Sequence, residues 1–135
     1  PLYIRLHRNP VADIHDPATY RFEIGKSYPI LDYGRDLTMF VSGILLKKAM
    51  DAAEILREQG VGVRVVDMPT IKPLDRVAVL KAAEETGAIM TIEDHTIYGG
   101  LGSAVAEVVC QERPVPMTIV GIQDRFGESG DPELL

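Results

Sequence analysis

The sequence predicts an α/β protein in which a mainly parallel, five-stranded sheet carries helices on its faces. Short apolar runs typical of strands alternate with segments of helical spacing, and glycine or proline separates most of them. The resulting order is strand, strand, helix, strand, helix, strand, helix and strand. It contains successive strand–helix–strand units, and such crossovers are right-handed and join parallel strands.

The first two predicted strands are joined by a short turn. They cover residues 28–31 and 37–41, and only residues 32–36 separate them. A parallel crossover needs about a dozen residues or more, so the two strands are expected to be antiparallel neighbours. One edge of the sheet should therefore run against the other strands.

The helices are predicted from the spacing of apolar residues and from helix-end signals. In the first, residues 44–59, Ala49 and Ala53 share the apolar face. Asp75 is a typical N-cap residue for the second helix, and the third is expected to begin at Ser103. The remaining predicted strands are residues 61–66, 88–92 and 117–120.

Composition excludes several functional classes. A chain of 135 residues with 46% hydrophobic residues is expected to form one globular domain. Its net charge of −6 argues against nucleic acid and anionic membranes as partners. The single cysteine, Cys110, cannot form an internal disulfide, which favours a reducing cytoplasm. We expect Cys110 to be an inert, partly buried thiol on the third helix.

The first 20 residues resemble the end of one unit followed by a linker. Leu2, Ile4 and Leu6 alternate with polar or amphipathic residues, which is the pattern of a half-buried strand. Asn9-Pro10 and Asp16-Pro17 then interrupt regular structure. The strand has no evident partner nearby, so it should fray or pair opportunistically. Because the chain starts at Pro1, we expect it to be a piece of something longer.

The candidate site is a polar, glycine-rich loop between the fourth strand and the third helix. Gly99, Gly100 and Gly102 precede Ser103, and such loops lie outside the carboxyl ends of strands, where ligands usually bind. A phosphate is one possible ligand. However, Val105 replaces the third glycine of a dinucleotide fingerprint, and the strand ends too far from the glycines. The glycines are therefore expected mainly to let the helix approach the sheet.

Glu93, Asp94 and His95 supply the groups of acid–base catalysis at the end of the same strand. Successive residues of a strand point to opposite sides, so the three cannot all serve one site. A triad with Ser103 lacks the nucleophile-elbow context, and no spaced histidine or cysteine pair suggests a metal. We assign no catalytic residue and no metal ligand, and we expect Glu93 and His95 to hold the loop and a neighbouring domain.

Four segments together resemble the C-terminal domain of transketolase-type thiamine diphosphate enzymes. They are residues 70–75 (TIKPLD), 91–95 (TIEDH), 99–107 (GGLGSAVAE) and 121–130 (GIQDRFGESG). The last is most similar to the C-terminal section of a split transketolase. This resemblance implies a three-layer α/β/α fold with one antiparallel strand. It also implies that residues 21–135 are the C-terminal domain, and that residues 1–20 end a pyrimidine-binding domain and form a linker.

The resemblance implies a function for the complete enzyme. Transketolases transfer a two-carbon ketol unit between phosphorylated sugars with thiamine diphosphate and magnesium, which the diphosphate-binding and pyrimidine-binding domains hold. This chain is therefore expected to bind no cofactor, to be inactive alone, and to support a homodimer or larger assembly with those missing domains. Arg8 resembles an arginine that binds the substrate phosphate, and Arg5 is the competing choice.

Three alternatives remain open. Deoxyxylulose-phosphate synthase and the β chain of 2-oxoacid dehydrogenases share this domain, and residues 72–75 (KPLD) also occur in the synthase. Residues 124–130 (DRFGESG) resemble transketolase more closely. The third alternative is a free-standing nucleotide-binding or regulatory module.

Overall fold

Five strands and three α-helices alternate along the chain in the computed structural model, which describes residues 1–6, 10–127 and 130. The strands are β1 (Tyr28–Asp32), β2 (Leu37–Ser42), β3 (Val63–Asp67), β4 (Ile89–Thr96) and β5 (Met117–Ile122). The helices are α1 (Leu46–Glu58), which follows a short 3₁₀ turn, α2 (Arg76–Glu85) and α3 (Leu101–Glu112). None of the described helices is long and apolar enough to cross a membrane.

The strands form one sheet in the order β1-β3-β2-β4-β5, with only β1 antiparallel to its neighbour. Alternate residues of β2 enter two separate cores. Met39 and Val41 pack with α1, whereas Phe40 packs with α2 and α3. The sheet therefore lies between one helix and two, and the predicted three-layer fold with one antiparallel edge strand is confirmed.

The prediction that β1 and β2 are neighbours is wrong, because β3 lies between them. The turn that joins β1 to β2 crosses the start of β3: the Tyr33 amide donates to Val63 (2.9 Å) and the Asp36 amide to Gly62 (2.8 Å). A Cβ atom on Gly34 would lie 2.7 Å from the Cα atom of Gly62. Glycine at both positions lets the turn pass this close. The short connection thus correctly indicates that β2 runs opposite to β1, but it does not determine whether the two strands are neighbours in the sheet.

The predicted elements are present with shifted ends. Ala49 and Ala53 are buried on α1 as predicted. Helix α3 begins at Leu101, two residues before the predicted start, and β4 continues beyond Ile92 to Thr96. The pattern of residues 2–6 does not produce a strand, since these residues are unpaired and exposed. Cys110 is exposed, and the expectation of a partly buried thiol is wrong because the side chain lies on the outer face of α3.

Asp75 caps α2 as predicted and also holds the chain before β1. Its Oδ1 atom accepts from the Ala78 amide (3.1 Å), and its Oδ2 atom accepts from the amide (2.9 Å) and the hydroxyl (3.0 Å) of Ser27. Burial alone would raise the pKa of Asp75, but the hydrogen bonds from Ser27 and Ala78 outweigh it and hold the pKa below its usual value. The ionised carboxylate therefore stabilises the fold.

We predict that Asp75→Asn lowers the free energy of unfolding by about 1 kcal/mol near neutral pH, because the cap loses its charge and an acceptor. The folded chain binds this proton less readily than the unfolded chain, so the contribution is present above the ordinary aspartate pKa of 3.8 and is lost as the pH falls through the lower folded pKa. Urea denaturation of both proteins at several pH values should show the difference shrinking in acid. A difference that grows in acid would contradict the prediction.

Candidate functional site

The candidate site lies at the carboxyl ends of β2 and β4, which are adjacent parallel strands. From here β2 leads to α1 on one face of the sheet and β4 leads to α3 on the other. Such a point of divergence opens a crevice, and ligands of α/β proteins commonly bind there. An open cleft of about 750 Å³ occupies this position, and Ser42, Asp94, His95, Gly99 and Arg5 contribute to its lining.

Glu93 occupies the N-terminus of α3 with its own carboxylate. The side chain is 2% exposed, its Oε2 atom accepts from the Leu101 amide (2.8 Å) and its Oε1 atom accepts from the Gly102 amide (2.8 Å). Free amides and the helix dipole make this end of a helix attractive to anions. Here the chain supplies the anion itself, so an external phosphate would have to displace Glu93 to use these two amides.

Each glycine of the loop has a local steric reason. Gly99 has a φ of +73°, a left-handed conformation that favours glycine. A Cβ atom on Gly100 would lie 2.0 Å from the Oε2 atom of Glu93, and one on Gly102 would lie 2.4 Å from the side chain of Ile119 on β5. The loop therefore turns sharply, leaves room for the buried carboxylate, and brings α3 close to the sheet.

His95 and Ser103 complete the set of residues that the sequence singles out. His95 is largely exposed; its Nδ1 atom lies 2.8 Å from the Thr96 carbonyl oxygen and 3.9 Å from the Oε2 atom of Glu93. The Ser103 hydroxyl accepts from the Gly99 amide (2.8 Å) and so closes the loop. Among the described residues no hydrogen bond joins His95 to Ser103, and the arrangement is not that of a catalytic triad.

The structure describes one of the two candidate arginines. Arg5 lines the cleft beside Asp94 and His95. Arg8, the preferred candidate for binding a substrate phosphate, lies outside the described residues. Within the described part of the chain, no group of three or more acidic, histidine or cysteine side chains could hold a metal ion.

One polar cluster, at the carboxyl end of β3, was not predicted from the sequence. The Nε2 atom of His15 lies 2.8 Å from the Oδ2 atom of Asp67, and the His15 ring stacks on Tyr20 with 4.0 Å between centroids. Burial raises the pKa of Asp67, although the hydrogen bond from His15 opposes that effect. These partners are 52 residues apart in the sequence, and no local pattern links them.

Comparisons with known proteins agree with this geometry. The family model described as "Transketolase, C-terminal domain" matches residues 26–135. The chain is 45% identical over 124 residues to an apulose-4-phosphate transketolase subunit of Phocaeicola vulgatus, covering 92% of this chain and 39% of that protein. It is 45% identical over 130 residues to 6-deoxy-6-sulfo-D-fructose transketolase subunit SqwH of a Clostridium species, covering 96% of this chain and 40% of that protein.

A solved structure gives the same result. The structure described as "Split gene transketolase, inactive beta4 tetramer" matches with a TM-score of 0.84 and 44% identity, covering 88% of this chain and 39% of that one. The fold and its loop thus define a transketolase-type C-terminal domain. The chain belongs to the transketolase C-terminal domain family, and it spans about two fifths of the length of the curated relatives it matches.

Proposed function

We propose that this chain is the C-terminal part of a thiamine diphosphate-dependent transketolase that transfers a two-carbon ketol unit between phosphorylated sugars. Its own role in that enzyme is structural. The observation that carries this structural role is the Glu93 carboxylate on β4, which is buried and accepts hydrogen bonds from two amides of α3. We infer that Glu93, although it contributes to the lining of the cleft, stabilises the fold and does not act on a substrate.

The described residues around the crevice do not fit a thiamine diphosphate site. Magnesium in such a site needs oxygen ligands that are free to bind it, together with several waters. Both oxygens of Glu93 are already engaged, and the neighbouring Asp94 is a single exposed carboxylate. We propose that separate diphosphate-binding and pyrimidine-binding domains, on the same or a partner polypeptide, hold the cofactor and magnesium.

An exposed apolar surface supports the assembly role. Val120 and Ile122 of β5 are 41% and 38% exposed, beside the partly buried Met90 and Ile92 of β4. Helix α1 packs on β2 and β3 and leaves this half of the sheet face open within the described residues. Patches of this kind mark contact surfaces. We propose that a homodimer or larger assembly in the cytoplasm covers it.

The N-terminal residues support a connection to a preceding domain. Leu2, Ile4 and Leu6 are 85%, 68% and 84% exposed, which is unfavourable for apolar side chains in water. We propose that residues 1–20 are the end of the pyrimidine-binding domain plus a linker, and that residues 21–135 are the C-terminal domain. In the assembled enzyme Arg8 then binds the substrate phosphate, and His95 and the loop from Gly99 to Ser103 contact the neighbouring domain.

We predict that the chain alone is inactive and binds thiamine diphosphate with magnesium no better than background, as measured by titration calorimetry. Mixing it with the separately produced diphosphate-binding and pyrimidine-binding part should restore ketol transfer. Micromolar binding of the cofactor to this chain alone would contradict the proposal. The donor can be chosen among phosphorylated ketoses, since the proposal concerns the phosphate and the ketol group.

The same reconstituted enzyme separates the two arginines. Arg8→Ala should raise the KM for a phosphorylated donor by about tenfold or more, which is the loss of one charge-assisted contact. Arg5→Ala is the matched control and should leave that KM nearly unchanged. The opposite result would transfer the role to Arg5.

A further inference from the structure

The second half of the segment before β1 contacts the domain at several points. Ile14 packs on the core beneath α1. Further along, the Gly25 amide donates to the Thr70 hydroxyl (2.9 Å) and the Ser27 amide donates to Asp75 (2.9 Å). These contacts reach the loop and the helix cap that follow β3. Residues 14–27, here called the strap, therefore lie across the carboxyl end of β3 in a defined path.

His15 makes the central contact of the strap. The His15 ring is hydrogen-bonded to Asp67, whose side chain is 9% exposed. The ring lies between the polar end of β3 and two tyrosines. Tyr20 stacks on the ring at 4.0 Å, and Tyr28 meets its edge at 5.7 Å. The Tyr28 hydroxyl in turn donates to the Arg21 carbonyl (2.6 Å) and accepts from the Glu23 amide (2.7 Å). One imidazole thus joins the sheet, the strap and β1.

We propose that the His15–Asp67 pair is a latch that holds the strap on the sheet and fixes the direction in which the chain leaves this domain toward its first residues. While the latch is closed, the strap and the domain move as one body. When it opens, the residues before Ile14 lose their anchor and can reorient. This inference rests on the proposed function, because a fixed exit path matters where a preceding domain is attached.

The burial of Asp67 and the conformational entropy of the strap both favour a latch over an incidental contact. Burial disfavours the charge on Asp67, and His15 is the hydrogen-bond partner that compensates for it, so losing His15 leaves a buried carboxylate unpaired. The strap also has no regular secondary structure, and ordering it costs conformational entropy that its few side-chain contacts must offset. Removing the central contact should therefore release the strap and leave the sheet intact.

Hydrogen exchange of this chain, followed by mass spectrometry, tests the latch directly. The reporting amides are those of Thr19 and Tyr20, which donate to the Asp16 carbonyl, and those of Glu23, Gly25 and Ser27. In His15→Phe, which keeps an aromatic ring but removes the hydrogen bond, we expect these amides to exchange about tenfold faster or more. Exchange in β2 and β4 should not change. Asp67→Asn keeps an acceptor for His15 and should release the strap less.

Asp51→Asn is the control for the charge change, since Asp51 lies on the exposed face of α1 in a surface pair with Lys47. Strap exchange that is unchanged in His15→Phe would overturn the latch, and so would a wild-type strap that exchanges as fast as an unfolded chain. If His15→Phe also accelerates exchange in the strands, the milder Asp67→Asn variant decides. Exchange that is faster in the strap but unchanged in the strands of Asp67→Asn supports the latch. Strap exchange that is unchanged in Asp67→Asn overturns it. Because no partner or cofactor is present in the measurement, its outcome is independent of whether the reconstituted enzyme is active.

Discussion

Gly102→Val is expected to lower the free energy of unfolding by about 1–3 kcal/mol, the usual cost of overpacking a well-packed interior. A Cβ atom at this position would lie 2.4 Å from one carbon of the Ile119 side chain and 2.9 Å from two others. Both residues are confined, because Gly102 lies in the first turn of α3 and Ile119 lies on β5. Gly102 is helical and does not have a positive φ, so the cost arises from crowding and not from backbone strain.

Urea denaturation of three variants separates crowding from helix propensity. Ala106→Val places a β-branched side chain at a half-buried position of α3 and should cost no more than about 0.7 kcal/mol, the range of ordinary helix propensities. Gly102→Val combined with Ile119→Ala should recover part of the loss, since the clashing carbons are removed. Equal stability of Gly102→Val and the unsubstituted chain would show that the glycine is incidental to the fold.

The sequence predicted the elements of the fold better than their arrangement. Strand and helix positions depend on local periodicity, and Asp75 was recognised as a cap because its partner amide is three residues away. The strand next to β1 is β3, which forms only after the chain has crossed from β2 through α1. That is a property of the whole sheet, and the residues between β1 and β2 do not encode it.

In the candidate site, too, local features were predicted from the sequence but contacts between distant residues were not. The glycines were predicted to let the helix approach the sheet, and Gly102 lies so close to Ile119 that an added Cβ atom would collide with its side chain. The capping role of Glu93 could not be predicted from the sequence, because it depends on the residue at which α3 begins and on the path of the loop before it. The pairing of His15 with Asp67 was missed because it joins residues 52 positions apart, one in a segment that resembled a linker.

Glu93→Ala is expected to lower the free energy of unfolding by about 3 kcal/mol or more, because hydrogen bonds to a charged group contribute about 1.5–3 kcal/mol and two are lost. The amides of Leu101 and Gly102 are buried, so water replaces the carboxylate poorly. Glu93→Gln has nearly the same shape and should cost about 2 kcal/mol, because its amide nitrogen faces a backbone donor and its charge no longer complements the helix dipole.

Asp94→Asn is the matched control, since the adjacent Asp94 is exposed and its substitution should change stability by no more than about 0.5 kcal/mol. Denaturation curves at neutral pH decide whether Glu93 is a structural cap of α3 or a functional group of the crevice. If Glu93→Gln is as stable as the unsubstituted chain, the carboxylate is not a cap, and a functional role for it regains support. If the loss is as large as expected, Glu93 must stay where it is for α3 to begin at Leu101. The loop that carries Gly99 and Ser103 then owes its shape to a charge inside the domain, and the face that we propose contacts a neighbouring domain is set by this chain alone.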